Sequence, residues 1–268
     1  MFNLENNLYI ASITHNQAEI SEAIGLRFHL YQHRPIAETI NTIPNKKQHS
    51  RNVQAKKKRV SFADGYDKFS THIIVTEKSS NSIVAGLRLM DSYAAFNLGG
   101  FFSETEFDLG NLQNSAYLAE ISQLVIHPNH RNKDVFKLVW EAIRNYCLDN
   151  RIDRTILNLT LPMASDDASD FPKDAQNMQQ LIGQITPQNF DTARFKVRPY
   201  QTLPSAGIVQ LRSQFPITLQ YCLDNGGKLC GDAFWNKDLN TADVLLQLYI
   251  LDKEENQNFG EQYGKHVA

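Results

Sequence analysis

Apolar and polar positions alternate with period two along several stretches of the chain and recur every three to four residues along others, which separates strands from helices. Leu8–Ile13 reads as a first strand. A helix over Asn16–Arg34 follows, with Ile20, Ile24, Phe28 and Tyr31 on one stripe. Asn16 is placed to cap it, and Glu19 stands three residues on, as a capping box requires. His72–Glu77 and Ser82–Met90, separated by KSSN, predict a β-hairpin. Asp91–Leu112 is rich in turn residues around Gly99-Gly100. Tyr117–Ile126 is a strand that Pro128 helps to end. Asn132 or Asp134 starts a helix whose apolar face holds Val135, Leu138, Val139, Ile143 and Tyr146. Arg154–Leu161 is a further strand, and Ser165–Asp174 reads as an acidic loop. Residues 205–224 look helical, with Pro216 expected to kink or split them and Asn225-Gly226-Gly227 to end them. Lys228–Trp235 and Ala242–Leu251 are expected to be terminal strands. The order β-α-β-β-β-α-β, then a helical segment and added strands, predicts one α+β (α/β-like) domain over 1–268 with a central mixed sheet flanked by helices.

Composition adds exclusions. The 268 residues are 42% hydrophobic and 21% charged, with a net charge of −2, so the chain as a whole has no electrostatic reason to bind nucleic acid. The exception is local: residues 44–62 hold seven Lys or Arg and no acidic residue. Such a run is either a solvated loop or a docking patch for an acidic partner, an acyl carrier protein or, through residues 46–59, an anionic lipid surface. Three cysteines, Cys147, Cys222 and Cys230, lack metal-ligand spacing and fit reduced thiols in a cytoplasmic protein; no metal is expected. The N-terminus has no basic region followed by an apolar core, and no stretch reaches the ~20 apolar residues of a membrane span. Contact with the inner membrane face is therefore expected at most at the surface. The tail 252–268 is polar.

The candidate chemistry sits in Tyr117–Ile126. A carboxylate in an apolar strand is costly to bury unless it is paired or used. Strict alternation puts Leu118, Glu120, Ser122, Leu124 and Ile126 on one face and Gln123 on the other. The turn that follows, with Arg131 between strand and helix, can offer free backbone N–H groups and a guanidinium to an anion. It lacks the glycines of a standard phosphate loop. By spacing alone, Glu120 is either a salt-bridged strand carboxylate or a base, and Arg131 either a surface residue or an anion contact.

Strand, turn with arginine, amphipathic helix and strand together resemble the central motif of the GNAT superfamily of N-acyltransferases. The usual glycine pair of that motif is absent from Arg131–Phe136 (RNKDVF), which points away from ordinary acetyl-CoA binding and toward the acyl-homoserine lactone synthases, relatives that use carrier-protein thioesters. The finer resemblance is to the hemolysin-like acyltransferases that form lyso-ornithine lipid. It rests on Gly99–Leu109 (GGFFSETEFDL), on Glu120–Asn132 (EISQLVIHPNHRN), on the Val139-Trp140 step and on Lys228–Leu248, and it runs from about Ile20 to Leu251. Ala23–Arg34 and Asp64–Val75 also look like features of the homoserine lactone synthases. Two departures stand out: Gln123 replaces the arginine usual three residues after the strand glutamate, and Asn158–Met163 replaces a small, glycine- and cysteine-containing run.

The resemblance implies a GNAT-like fold and transfer of a fatty acyl group from an acyl carrier protein (or CoA) thioester to the amine of an amino acid or related small molecule. It implies no resident cofactor, since the thioester is a cosubstrate. It makes Glu120 the general base, with Ser122 orienting a water or steadying the oxyanion. Val125, His127, Arg131, Asn132 and Lys133 fall on the donor side. Arg27, Asp67, Arg88, Glu104 and Gln123 fall on the acceptor side, where a structural ion-pair network is the competing reading. Phe101, Phe102, Phe107 and Trp140 would line the acyl pocket or simply fill the core. A homoserine lactone synthase proper, an acyltransferase for a natural-product amine and a non-catalytic acyl- or carrier-binding fold are the alternatives.

Overall fold

The alternating stretches pair into one sheet. In the computed structural model, residues 3–31, 64–114, 117–163, 169–185, 189–190, 197–205 and 215–250 are described. The basic run 44–62 and the tail 252–268 lie outside them. The strands are β1 (Asn3–Glu5), β2 (Tyr9–Thr14), β3 (Thr71–Glu77), β4 (Ile83–Asp91), β5 (Phe107–Asp108), β6 (Leu118–Ile126), β7 (Arg154–Pro162), β8 (Arg198–Pro199), β9 (Lys228–Leu229), β10 (Phe234–Asn236) and β11 (Thr241–Tyr249). The helices are α1 (Gln17–Tyr31), α2 (Ser92–Leu98), α3 (Lys133–Asp149), α4 (Phe171–Ile182) and α5 (Ile217–Asp224). The main sheet runs β1-β2-β3-β4-β6-β7-β11-β10, with β9 also on β11. Among the described strand pairs only β6 and β7 are parallel, joined through α3, so the sheet is mixed as the pattern predicts.

Directly paired residues point to the same face. Following the register from His72–Arg88 through Arg88–Ser122, Glu120–Ile156 and Thr160–Asp243 places His72, Arg88, Glu120, Ser122, Ile156, Asn158, Thr160, Asp243 and Leu245 on one face. The opposite face is apolar: Ile73, Val75, Leu87, Leu89, Ile121, Leu157, Leu159, Val244 and Leu246 meet Val135, Leu138, Val139 and Ile143 of α3 and the buried side of α4 and α5. The polar-bearing face does not meet water. Helix α1 crosses it so closely that a Cβ on Gly86 would stand 3.2 Å from that of Ala23. Farther along, Phe101, Phe107, Leu109 and Leu112 close over Met90, Leu118, Ile156 and Leu245 as a second apolar cluster.

Several local expectations change. Asn16 does cap α1 through Ala18, but Glu19 bonds the Thr14 hydroxyl instead of reaching back. The helix's deeply buried positions are Ala23 and Arg27 rather than the predicted stripe, of which Ile24 and Phe28 are half-buried. Part of the expected acidic loop is α4, with Pro172 in its first turn, where a missing N–H costs nothing. Pro216 precedes α5 rather than breaking it. The expected strand over Lys228–Trp235 is two short pieces, β9 and the start of β10.

Candidate active site

Glu120 stands in the middle of β6 and is 0% exposed. One carboxylate oxygen accepts the Ser103 N–H at 3.0 Å. The other is buried with no hydrogen-bond partner, as is the Ser103 hydroxyl. Burial pushes the Glu120 carboxyl up to about 7, against the opposing pull of the Arg88 guanidinium and the Phe102–Ser103 backbone. The turn that supplies those N–H groups is set by Gly99 and Gly100. Both take positive φ, and a Cβ on Gly100 would run into the Glu104 carboxylate at 3.0 Å.

Beside Glu120 lies an interlocked charge network. Arg88 Nε donates to Ser122 Oγ at 2.7 Å, and its Nη1 donates to Asp64 at 2.5 Å and Asp67 at 3.4 Å. Arg27 donates to the same Asp67 oxygen at 2.8 Å, and the second Asp67 oxygen accepts the Asp64 N–H. The Arg88 guanidinium lies 5.0 Å from the Phe102 ring centroid and 5.3 Å from that of Tyr66. Burial works to raise Asp67, but the two arginines overcome it and hold the carboxyl below its usual range. Burial lowers His72, whose ring nitrogen meets the Asp67 carbonyl. One nitrogen on each guanidinium, Arg27 Nη1 and Arg88 Nη2, is nevertheless buried without a partner. Arg27 is 4% exposed and belongs to this buried network.

The strand itself opens at this point. β6 pairs with β7 only over Leu118–Ile121 and Arg154–Leu157, although both strands continue, β6 held by β4 and β7 by β11. Beyond Ile121 the two part, and among the described residues no strand pairs with the facing edge of β6. A β-bulge lies within the unpaired stretch. Gln123 has φ +56°, and two residues, Gln123 and Leu124, stand opposite Leu87 alone. The bulge breaks the strict alternation expected of the strand: Val125 returns to the Glu120 face opposite Gly86, whereas Ile126 joins the α3 side. At the end of β6, Arg131 Nε donates to the Ile126 carbonyl, which fixes an exposed side chain beside the gap. His127 accepts the Asn129 N–H. Asn132 caps α3 by accepting from Asp134 and Val135, so two of the N–H groups expected to face an anion are already used. Its amide also donates to the Tyr9 hydroxyl. Lys133 is exposed at the first turn.

The structure therefore brings together Glu120, Ser122, Arg88, Asp67 and Arg27, with Phe102 against them. Phe101 and Phe107 are buried in the cluster on the same face. Glu104 is not joined to the arginines; it accepts the Phe101 N–H of its own turn. Trp140 is separated from the three phenylalanines and packs on the α3 side against Tyr221. Sequence reading missed Asp64, Tyr66 and Ser103, although the first two stand in the DGYD stretch and Ser103 in FFSETEF. It also missed Glu106, Asn158 and Asp243. The Asn158 amide donates to Glu106 at 2.7 Å, and Thr160 donates to Asp243 at 2.5 Å. Among the described residues no cluster of His, Cys, Asp or Glu has metal-holding geometry, and no helix is long and apolar enough to cross a membrane.

The family described as Acetyltransferase (GNAT) domain matches residues 46–141, which include β3, β4, β6 and the start of α3. The L-ornithine N(alpha)-acyltransferase of Rhodobacter capsulatus is 26% identical over 196 residues, 69% of this chain and 73% of that protein. The L-ornithine N(alpha)-acyltransferase of Agrobacterium fabrum is 24% identical over 152 residues, 54% of this chain and 47% of that protein. Among solved structures, the AHL synthase LasI aligns over 96% of this chain and 95% of its own, with a TM-score of 0.47 and 13% identity.

Proposed function

Starting from a GNAT-type acyltransferase as premise, we propose that this chain moves a fatty acyl group from a carrier-protein thioester to the amine of an amino acid, with Glu120 as general base. CoA is the alternative carrier. The observation that carries the reading is Glu120 itself. It is fully buried, with one oxygen held and the other free, it titrates at about 7, and it stands where β6 and β7 begin to part. An ammonium has no lone pair, so the acceptor must lose a proton before it attacks. The free Glu120 oxygen takes that proton, directly or through a water. The amine nitrogen then bonds to the thioester carbonyl carbon, and the carbonyl π electrons move onto oxygen. The unpaired backbone edge of β6 faces the gap in which that oxyanion forms. Collapse breaks the carbon–sulfur bond, the nitrogen loses its second proton, and the thiolate leaves and is protonated. The products are the amide and the free carrier thiol, and no covalent enzyme intermediate is required.

The donor arm enters the gap beside β6, with Val125 on the Glu120 face, and its phosphate meets Arg131, His127, Lys133 and the Asn132 side of the α3 turn. The acceptor approaches from the arginine side, where Arg27 and Arg88 offer unpartnered nitrogens to its carboxylate. Phe101, Phe102 and Phe107 face the acyl chain. Residues 46–59 dock the acidic carrier protein, as their charge suits. The names of the curated relatives make L-ornithine the first acceptor to try. The test mixes purified protein with acyl carrier protein thioesters and an amino-acid panel, and reads free thiol and acyl amide. Amide is expected, and Glu120→Gln should lower kcat/KM by about 10²–10⁴-fold. Absence of amide with every donor, or full activity of the Gln variant, sinks the reading.

A further inference from the structure

Acyl transfer uses the free oxygen of Glu120 but not the hydroxyl beside it. Ser103 is 0% exposed, and its Oγ is buried with no partner, a costly state for a hydroxyl. Its backbone N–H already donates to Glu120 Oε1 at 3.0 Å, which brings the serine up to the carboxylate. Two complementary atoms, the Ser103 Oγ donor and the Glu120 Oε2 acceptor, are therefore both unmet on residues that already touch. The hydroxyl stands close enough to pull the Glu120 carboxyl down, yet makes no hydrogen bond in this arrangement. The turn around it is fixed: Glu104 accepts the Phe101 N–H, and the Ser103 carbonyl accepts the Glu106 N–H at 3.1 Å. The backbone is thus held on both sides, and the serine side chain has one torsion to turn. Other groups around Glu120 are placed differently. Arg88 of β4 directs Nε to Ser122 and Nη1 to Asp64 and Asp67. Tyr66, before β3, and Glu106, before β5, are acids that feel the Glu120 charge. From β7 comes only apolar Ile156, and Gln247 of β11, whose Nε2 is also free, lies beyond Ile156 in the register, two strands from β6.

We propose that Ser103 is a positioning residue for the general base: its hydroxyl turns onto the free Glu120 oxygen whenever that carboxylate is charged, and so keeps the base ionised in a fully buried site. This rests on the reading of Glu120 as the base of acyl transfer. An ionised carboxylate oxygen has two lone pairs, so it accepts the hydroxyl and still faces the ammonium of the acceptor. When the proton arrives the charge is lost, the bond weakens and the hydroxyl turns away. No bond to the Ser103 oxygen is made or broken in the reaction. A donor that favours the charged form offsets part of the burial that opposes it.

The first readout needs no acyl donor and so stands apart from the transfer assay. Infrared difference spectra of the full chain follow the Glu120 carboxyl through its titration, its band being the one lost in Glu120→Gln. In Ser103→Ala the midpoint should move up by about 1 pH unit, because a donor to the charged form is gone. In Ser103→Cys, whose thiol is a weaker donor, it should move up by less. The second readout is the pH profile of amide formation. The acid limb of kcat/KM should follow the same order. For Ser103→Ala, kcat/KM should fall about 5-fold at pH 7 and return nearly to the parent's value by pH 9. A merely structural loss would lower kcat/KM evenly at every pH, and that result overturns the proposal. So does an unmoved midpoint in Ser103→Ala, or in Ser103→Cys if the alanine variant does not fold. A shifted midpoint in a chain that makes no amide would support the pairing of Ser103 with Glu120 and sink acyl transfer instead.

Discussion

A carboxyl group that titrates near neutrality inside a sheet affects stability as well as chemistry. The folded pKa of Glu120, about 7, lies above its ordinary 4.5. Between those values the folded state therefore holds more protons than the unfolded state. Stability falls as pH rises through that window and stays lower above it. The difference corresponds to about 3 kcal/mol at most for this one group. Glu120→Gln keeps an acceptor for the Ser103 N–H and removes the charge. In urea denaturation the variant should match the parent near pH 4.5 and exceed it by on the order of 2–3 kcal/mol at pH 8. A parent that is equally stable at both pH values relative to the variant would show that Glu120 is not strained when ionised. The same residue was legible in the sequence because it interrupts an apolar run. Asn158 and Asp243 were not, for a physical reason. In RTILNLTL and ADVLLQL the polar residues fall at the alternate positions that a half-exposed strand gives to water. Here both faces of the sheet are covered, so those positions face a buried site.

At the level of single elements, the least legible feature is the shape of β6. Its residues read as one alternating strand, and the two-for-one bulge at Gln123 cannot be seen in them, because glutamine gives no turn signal. Sequence comparison had singled Gln123 out for its missing arginine charge. The fold gives it a backbone role: it takes φ +56° where the strand changes phase. Gln123→Gly should hold stability or raise it by up to about 1 kcal/mol, since glycine adopts this conformation freely. Gln123→Val should cost about 1–2 kcal/mol, because a β-branched side chain resists it. Transfer activity separates backbone from side-chain roles. If the glycine variant keeps its acceptor preference, the bulge is what matters; if the preference broadens while folding is intact, the side chain reads the acceptor. Helix α4 teaches a related lesson. Its FPKD start reads as a breaker, yet proline within the first turn begins a helix whose Ala175, Met178, Leu181 and Ile182 are buried.

The whole molecule divides its labour between the two faces of one sheet. The α3 side is apolar and supplies the core. The other side carries a buried polar line from His72 through Arg88, Ser122 and Glu120 to Asn158 and Asp243, and the strands part in its middle. Such a line is affordable only if each group has a partner or a ligand, and some of the buried partnerless atoms, those on Arg27, Arg88, Glu120 and Asn158, lie on or beside it. An acyl donor reaching that gap must bring its carrier close to the chain, and charge decides how well it does so. Residues 44–62 hold seven Lys or Arg and no acid in a chain of net charge −2, a concentration of positive charge suited to an acidic carrier protein. Raising the salt from about 50 to 500 mM shortens the reach of that attraction several-fold. With an acyl carrier protein thioester, kcat/KM should then fall by about 10-fold or more. With an uncharged acyl-N-acetylcysteamine thioester it should hardly change. Replacing Lys56, Lys57, Lys58 and Arg59 by glutamine should reproduce the loss at low salt for the carrier protein alone. If both donors respond alike to salt and to the substitutions, the basic run is a solvated segment, and the carrier docks on the folded domain instead.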